Sequence, residues 1–170
     1  MKKPVYLQLA IAAVVVLGAG RSFADTMSVP SKEHPAFTVD VPAKWTPKVD
    51  KEDESLDATA PDNHVYLSAW VADGSTEEFG KDLEATLKDS MKSVDEGSKE
   101  ETIENNGIKF MVYHGSGVDK REGGKVKFMV AIFDAGAGKA GVVYTDYDAD
   151  APADATKTLN DILNSIKLKK

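Results

Sequence analysis

The sequence predicts an α+β domain: an α/β/α sandwich around a central, mostly antiparallel sheet of about six to seven strands, in the order β-β-β-α-β-β-β-β-α. Three observations predict it. Segments of alternating apolar residues are joined by tight-turn signals, which calls for antiparallel neighbours. Two other segments carry their apolar residues at helical spacing. The late strands are apolar on both faces, with Val126, Phe128, Val130 and Ile132 on one and Met129, Ala131 and Phe133 on the other, so the sheet needs cover on both sides.

Taken in order, the chain first shows a targeting pattern. Lys2 and Lys3 precede an apolar run at 5–19 broken only by Gln8, and Ser22 and Ala24 place small residues on either side of Phe23. This reads as a secretory signal peptide over 1–24, cleaved before Asp25. A retained anchor is the rival reading, but spanning a bilayer takes roughly 20 apolar residues and this run stops at Gly20-Arg21. Residues 25–36 read as a polar, flexible lead-in and 37–170 as a single domain.

Within that domain, Phe37, Val39 and Val41 alternate with polar residues in a strand that Pro42 ends, with Trp45 in the following turn. The charge run at 50–54 is a solvated loop. Residues 56–60 and 65–71 form two strands joined at Pro61-Asp62-Asn63. Ser75 and Glu78 spell a capping box, and Phe79, Leu83, Leu87, Met91 and Val94 then mark one stripe of a helix over about 76–95, stopped by Gly97. Asn106-Gly107 supplies the positive φ angles of a tight hairpin between strands at 102–104 and 108–118. Gly123-Gly124 and the glycines at 136–138 turn the chain into strands at 126–133 and 141–147. A last helix at about 153–166 carries Leu159, Ile162, Leu163 and Ile166 on its apolar stripe.

Composition excludes several classes of function. There is no cysteine, hence no disulfide, thiolate metal site, Cys nucleophile or lipid-bearing cysteine. The formal net charge is −7; residues 1–24 hold Lys2, Lys3 and Arg21 but no acid, so their removal leaves −10. Such a surface repels nucleic-acid phosphates and anionic headgroups. No segment after residue 24 is apolar enough to span a bilayer.

The layout resembles the PsbP/Mog-like family, whose exported bacterial members include DcrB-like proteins. The resembling phrases are Phe37-Thr-Val-Asp-Val-Pro-Ala-Lys-Trp45, the central amphipathic helix, Asn105-Asn-Gly-Ile-Lys-Phe110 and Ile162-Leu-Asn-Ser-Ile166. The resemblance implies a fold more than an activity. PsbP supports the oxygen-evolving side of photosystem II and Mog binds the Ran GTPase, and neither role transfers to a chain with a bacterial-type signal. DcrB-like export often uses a lipid anchor, which this chain has no cysteine to carry. No site motif of the family matches residue by residue.

Local motifs give few candidates. Gly136-Ala-Gly-Lys-Ala-Gly141 spells the dinucleotide-binding G-x-G-x-x-G, but a strand follows it where that motif needs a helix, so it reads as a hairpin loop. Asp146, Asp148, Asp150 and Asp154 echo positions one, three, five and nine of a calcium loop. Ala151 stands where that loop needs glycine and Lys157 where it needs glutamate, and the other reading is an acidic turn in which Asp150 or Asp154 caps the last helix. His34, His64 and His114 lack local ligand spacing and qualify as a metal set only by converging in the fold; His114 alone reads as a core-edge residue. There is no nucleophile elbow and no distinct carboxylate dyad. Trp45, Trp70, Tyr66 and Tyr113 either fill the core or line a groove.

The sequence therefore points to a non-enzymatic exported bacterial protein, periplasmic or secreted, that binds another protein or assembly of the cell envelope. It is expected to use no cofactor, to bind no nucleic acid and to keep no membrane anchor after signal cleavage. A small-molecule or calcium-binding module is the second reading, and an enzyme whose residues meet only in the fold is the third.

Overall fold

The computed structural model describes residues 23–95, 99–121, 123–151 and 155–169. Along them run β1 (Phe23–Val29), β2 (Phe37–Pro42), β3 (Thr46–Val49), β4 (Leu56–Thr59), β5 (Val65–Asp73), α1 (Thr76–Lys81) and α2 (Leu83–Ser90). There follow β6 (Met91–Val94), β7 (Lys99–Asn105), β8 (Ile108–Asp119), β9 (Lys125–Gly136), β10 (Lys139–Asp148), α3 (Ala155–Ser165) and β11 (Lys167–Leu168).

Tight turns set the register of the main sheet. Asn106 and Gly107 take φ of 52° and 75°, and Ala137 and Gly138 take 55° and 73°, the positive pairs that a two-residue hairpin requires. The first turn joins β7 to β8 and the second β9 to β10. The eight-stranded sheet runs β3-β4-β5-β10-β9-β8-β6, and β7 also pairs with β8. The outer edge of β8 is thus divided: Ile108 to His114 face β7, and Gly117 to Asp119 face β6. A second, three-stranded sheet has the order β1-β2-β11, and the pairings in both sheets are antiparallel.

Both faces of the main sheet are apolar, and each has its own cover. On one face Leu67, Phe110, Ala131, Phe133 and Val143 pack with Phe37 and Val39 of the small sheet and with Leu159, Ile162 and Leu163 of α3. On the other, Phe128, Val130, Ile132, Val142 and Tyr144 pack with Leu83 and Leu87 of α2 and with Met91. Two glycines let large rings lie flat between strands. Gly141 pairs with Phe133 and Gly115 with Phe128, and a Cβ on either glycine would stand 2.4 Å from the ring's Cζ. One buried polar atom breaks the pattern: Thr145 is fully buried and its Oγ1 has no hydrogen-bond partner among the described residues.

The expected mixed fold and antiparallel sheet are present, but the count and order differ. The described order is β-β-β-β-β-α-α-β-β-β-β-β-α-β rather than β-β-β-α-β-β-β-β-α. The segment read as a flexible lead-in supplies β1, whose backbone pairs with β2 from Phe23 to Val29. Its strand signal is weak, because an edge strand is held by its backbone partners and needs few buried side chains, here the fully buried Val29 and the partly buried Met27. The signal peptide expected over 1–24 lies outside the described residues except for Phe23 and Ala24.

The helix expected over 76–95 is two shorter ones. Ser75 closes the predicted capping box, accepting from Glu78 N at 3.3 Å while its own N–H donates to Glu78 Oε2 at 2.8 Å. The helix then breaks at Asp82, with φ −92° and ψ 4°. It stops at Ser90, and Met91–Val94 become β6 because the second half of β8 has an open edge to pair. Pairing there outweighs a helical spacing that runs on through Ser93 and Val94, both poor helix formers. Gly97, the expected stop, lies outside the described residues. The last helix holds where described, and its face covers the sheet as expected.

Candidate functional site

The helix-covered face of the main sheet carries the most promising surface. Phe79 of α1 meets Trp70 edge-on, with ring centroids 6.2 Å apart, and this seats the helix pair on the sheet. Leu83, Leu87 and Met91 point inward from α2 and β6. Beside them the surface dips into a groove of about 500 Å³, and Val94, 41% exposed, and Tyr113 extend its apolar floor. Among the described residues its rim carries Lys81, Lys88, Lys92 and Glu84, with Glu100 beside Tyr113, although the chain as a whole is acidic. Lys88 is held by Glu84 at 2.8 Å, one turn away on the exposed side of α2. Burial and the neighbouring Glu100 raise the pKa of Tyr113, so its hydroxyl stays a neutral donor.

A polar clamp fixes the end of α2 where it meets the groove. Lys120 donates its backbone N–H to Ser90 O at 2.9 Å and its Nζ to Lys88 O. The next residue, Arg121, lies with its guanidinium carbon 3.9 Å from the centroid of the Tyr66 ring. Its Nη2 donates to both oxygens of Asp146, at 2.5 and 2.7 Å. Tyr144 donates to Asp146 Oδ2 at 2.8 Å, and Tyr66 donates to Asp57 at 2.7 Å. Burial raises the pKa of both tyrosines, and their carboxylate acceptors add to the shift, so both remain donors. Burial also raises the pKa of Asp146, outweighing the attraction of Arg121. Every group named in this clamp has a partner, which suits a structural tie rather than acid–base chemistry.

The residues singled out in the sequence are placed as follows. The glycines at 136–138 form the β9–β10 hairpin and open no helix. Asp146 is taken up by Arg121 and Tyr144, and Asp148 Oδ2 lies 2.6 Å from His64 Nδ1. Asp150 is exposed beside Asp148, and Asp154 lies outside the described residues. His34 borders a cavity of about 590 Å³ near the β9–β10 hairpin, whereas His64 sits at the opposite end of β10. His114 is bonded at 2.9 Å to Glu101 on the open edge and is exposed rather than at the core edge. The three histidines do not meet. Among the described residues no group of three or more His, Asp or Glu is arranged to hold a metal ion.

Of the four aromatics, Trp45 packs against one core and Tyr66 and Trp70 against the other, while Tyr113 reaches the groove. Sequence reasoning missed Arg121. The available signal was its singularity, since it is the only arginine after Arg21. The lysine rim was hidden because Lys81, Lys88 and Lys92 are spaced as an ordinary solvated helix face.

No family model matches the chain, and no curated protein matches its sequence. Solved structures do match. The chain is similar to cyanobacterial PsbP (CyanoP) from Synechocystis sp. PCC 6803, with a TM-score of 0.57 and 12% identity over 88% of this chain and 96% of that one. It is similar to the Saccharomyces cerevisiae Ran-binding protein Mog1p, with a TM-score of 0.54 and 10% identity over 85% and 95% of the two chains. A protein from Bacteroides thetaiotaomicron VPI-5482 matches with a TM-score of 0.52 and 16% identity over 81% of this chain, which spans only 47% of that longer one. The fold is therefore PsbP/Mog-like. Among the described residues no helix is long and apolar enough to cross a membrane.

Proposed function

We propose that this chain is a non-enzymatic accessory domain that binds another protein of the cell envelope, and that it does so at the groove framed by α1, α2 and β6. The observation that carries the reading is the groove itself: an apolar floor reaching the exposed Val94, rimmed by lysines on an otherwise acidic chain. The fold it shares with a Ran-binding protein supports a binding role, and the pattern of residues 1–24 supports export.

The test is photo-crosslinking in cells from a reactive residue at Val94, with Val49 on the opposite edge of the sheet as control. The expected result is an adduct with one defined envelope protein from Val94 only. Labelling from neither position, or equal labelling from both, removes the groove as the binding surface. Fractionation of the same cells, with the mature N-terminus read chemically, tests export and cleavage before Asp25.

Calcium binding by Asp146, Asp148, Asp150 and Asp154 is the second proposal. It requires Asp146 to leave Arg121 and Asp148 to leave His64. A melting midpoint that rises with added calcium supports it, and an unmoved midpoint removes it.

A further inference from the structure

The groove opens beside a strand that ends the sheet. β6 pairs with β8, and no described strand pairs with its other edge. Asp95 N–H donates back to Ser116 O at 2.8 Å, and the Ser93 carbonyl also faces β8, since a Cβ on Gly117 would stand 2.2 Å from it. By strand alternation the backbone N–H and C=O of Val94 then point away from the sheet. Lys92 sits in the register shift between Met91 and Ser93.

Resting on the reading of the groove as a protein-binding site, we propose that the partner docks as an extended, acidic segment that adds a strand to the open edge of β6. Its apolar side chains lie on the groove floor, and its carboxylates lie against Lys88 and Lys92. Strand addition draws affinity from main-chain hydrogen bonds and selectivity from alternate side chains. Here the side of the segment that faces α2 meets Leu87, Met91 and Val94, with Lys88 and Lys92 on the rim of the same groove.

Other occupants fit less well. β7, on the other half of the same edge, carries Glu100, Glu101 and Glu104 and repels an acidic strand. β3, at the far edge of the sheet, contains Pro47, which has no N–H to offer. The short length of β6, its bulge and its lysine deter pairing between copies of this chain. A complementary strand bearing carboxylates is what they leave favoured.

The test uses the full mature chain and a short synthetic peptide alternating glutamate with valine, followed by fluorescence anisotropy. Binding that weakens with salt is expected, with none for the lysine–valine counterpart. Paired substitution of Lys88→Glu and Lys92→Glu is expected to weaken binding about tenfold or more. Val94→Pro removes an outward N–H where an edge strand tolerates proline, and is expected to abolish binding while melting stays close to wild type. A peptide N-methylated at alternate residues probes the same bond on the unaltered protein and is expected not to bind. Equal binding of the N-methylated peptide, equal binding of the lysine peptide, or no binding of the glutamate peptide overturns strand addition. A Val94 crosslink to a defined partner alongside any of these results leaves the groove reading standing and removes this inference alone.

Discussion

The ring of Phe133 lies against Gly141 on the neighbouring strand, so close that a Cβ there would stand 2.4 Å from its Cζ. Phe133 is fully buried and also meets Phe37 and Phe110, with ring centroids 5.0 and 5.1 Å away. The ring has no free side to move into. Gly141→Ala is therefore expected to destabilise the protein by about 1–3 kcal/mol, as overpacking does. Phe133→Leu combined with Gly141→Ala should cost less than the two single changes added together, because they share one contact. Urea unfolding of the four proteins checks this, and strict additivity would count against the contact.

Arg121→Ala is expected to cost about 1–3 kcal/mol at neutral pH, because it leaves a buried carboxylate without its cation; the half-exposed guanidinium keeps the loss below that of a fully buried pair. The pH dependence follows from Asp146, whose folded pKa lies above its unfolded value. The folded state therefore holds more protons in that window, and stability from this group is fully present below the unfolded value and lost as pH rises through the folded one. Losing Arg121 widens the window. The difference between variant and wild type should shrink on acidification, as measured by urea unfolding at acidic and neutral pH.

His64 gains its partner in the folded state, and the hydrogen bond to Asp148 raises its pKa. The stability it contributes is fully present below the unfolded value of about 6.5 and is lost as pH rises through the higher folded value. Asp148→Asn should lower the folded pKa of His64 and flatten that part of the stability curve. Histidine titration by NMR in both proteins reads this directly, and an unmoved titration would contradict the pairing.

Thr145→Val replaces a buried hydroxyl that lacks a partner among the described residues with a methyl of similar shape. The expected outcome is a gain of about 1 kcal/mol, since the desolvated oxygen is removed and nothing else is unpaired. Thermal or urea unfolding measures it, and a clear loss of stability would mean that the hydroxyl has a partner after all.

Local chemistry was legible where it was self-contained. Ser75 and Glu78 announce their cap within four residues, and Asn106-Gly107 announces its turn within two. The hidden features are those that depend on what the chain meets later. Met91–Val94 continue a helical spacing but are taken as a strand by β8, more than twenty residues further on. β11 is two residues long and β1 mixes polar with apolar residues, so neither carries much pattern of its own, and both form by pairing with β2. The site was less legible than the fold for the same reason. The lysine rim is a solvated helix face until Val94 and Tyr113 are brought beside it, and Arg121 finds Asp146 only across two strands.

The three-stranded sheet joins residues from early and late in the chain. Leu168 faces Phe37, Lys167 faces Thr38, and α3 packs on β2 just before them. Leu159, Ile162 and Leu163 of α3 complete a core that Phe37 and Val39 of β2 begin. That face of the main sheet is thus closed by a contact between distant parts of the chain, and such a contact forms late in folding because the entropy of closing the long loop must be offset first.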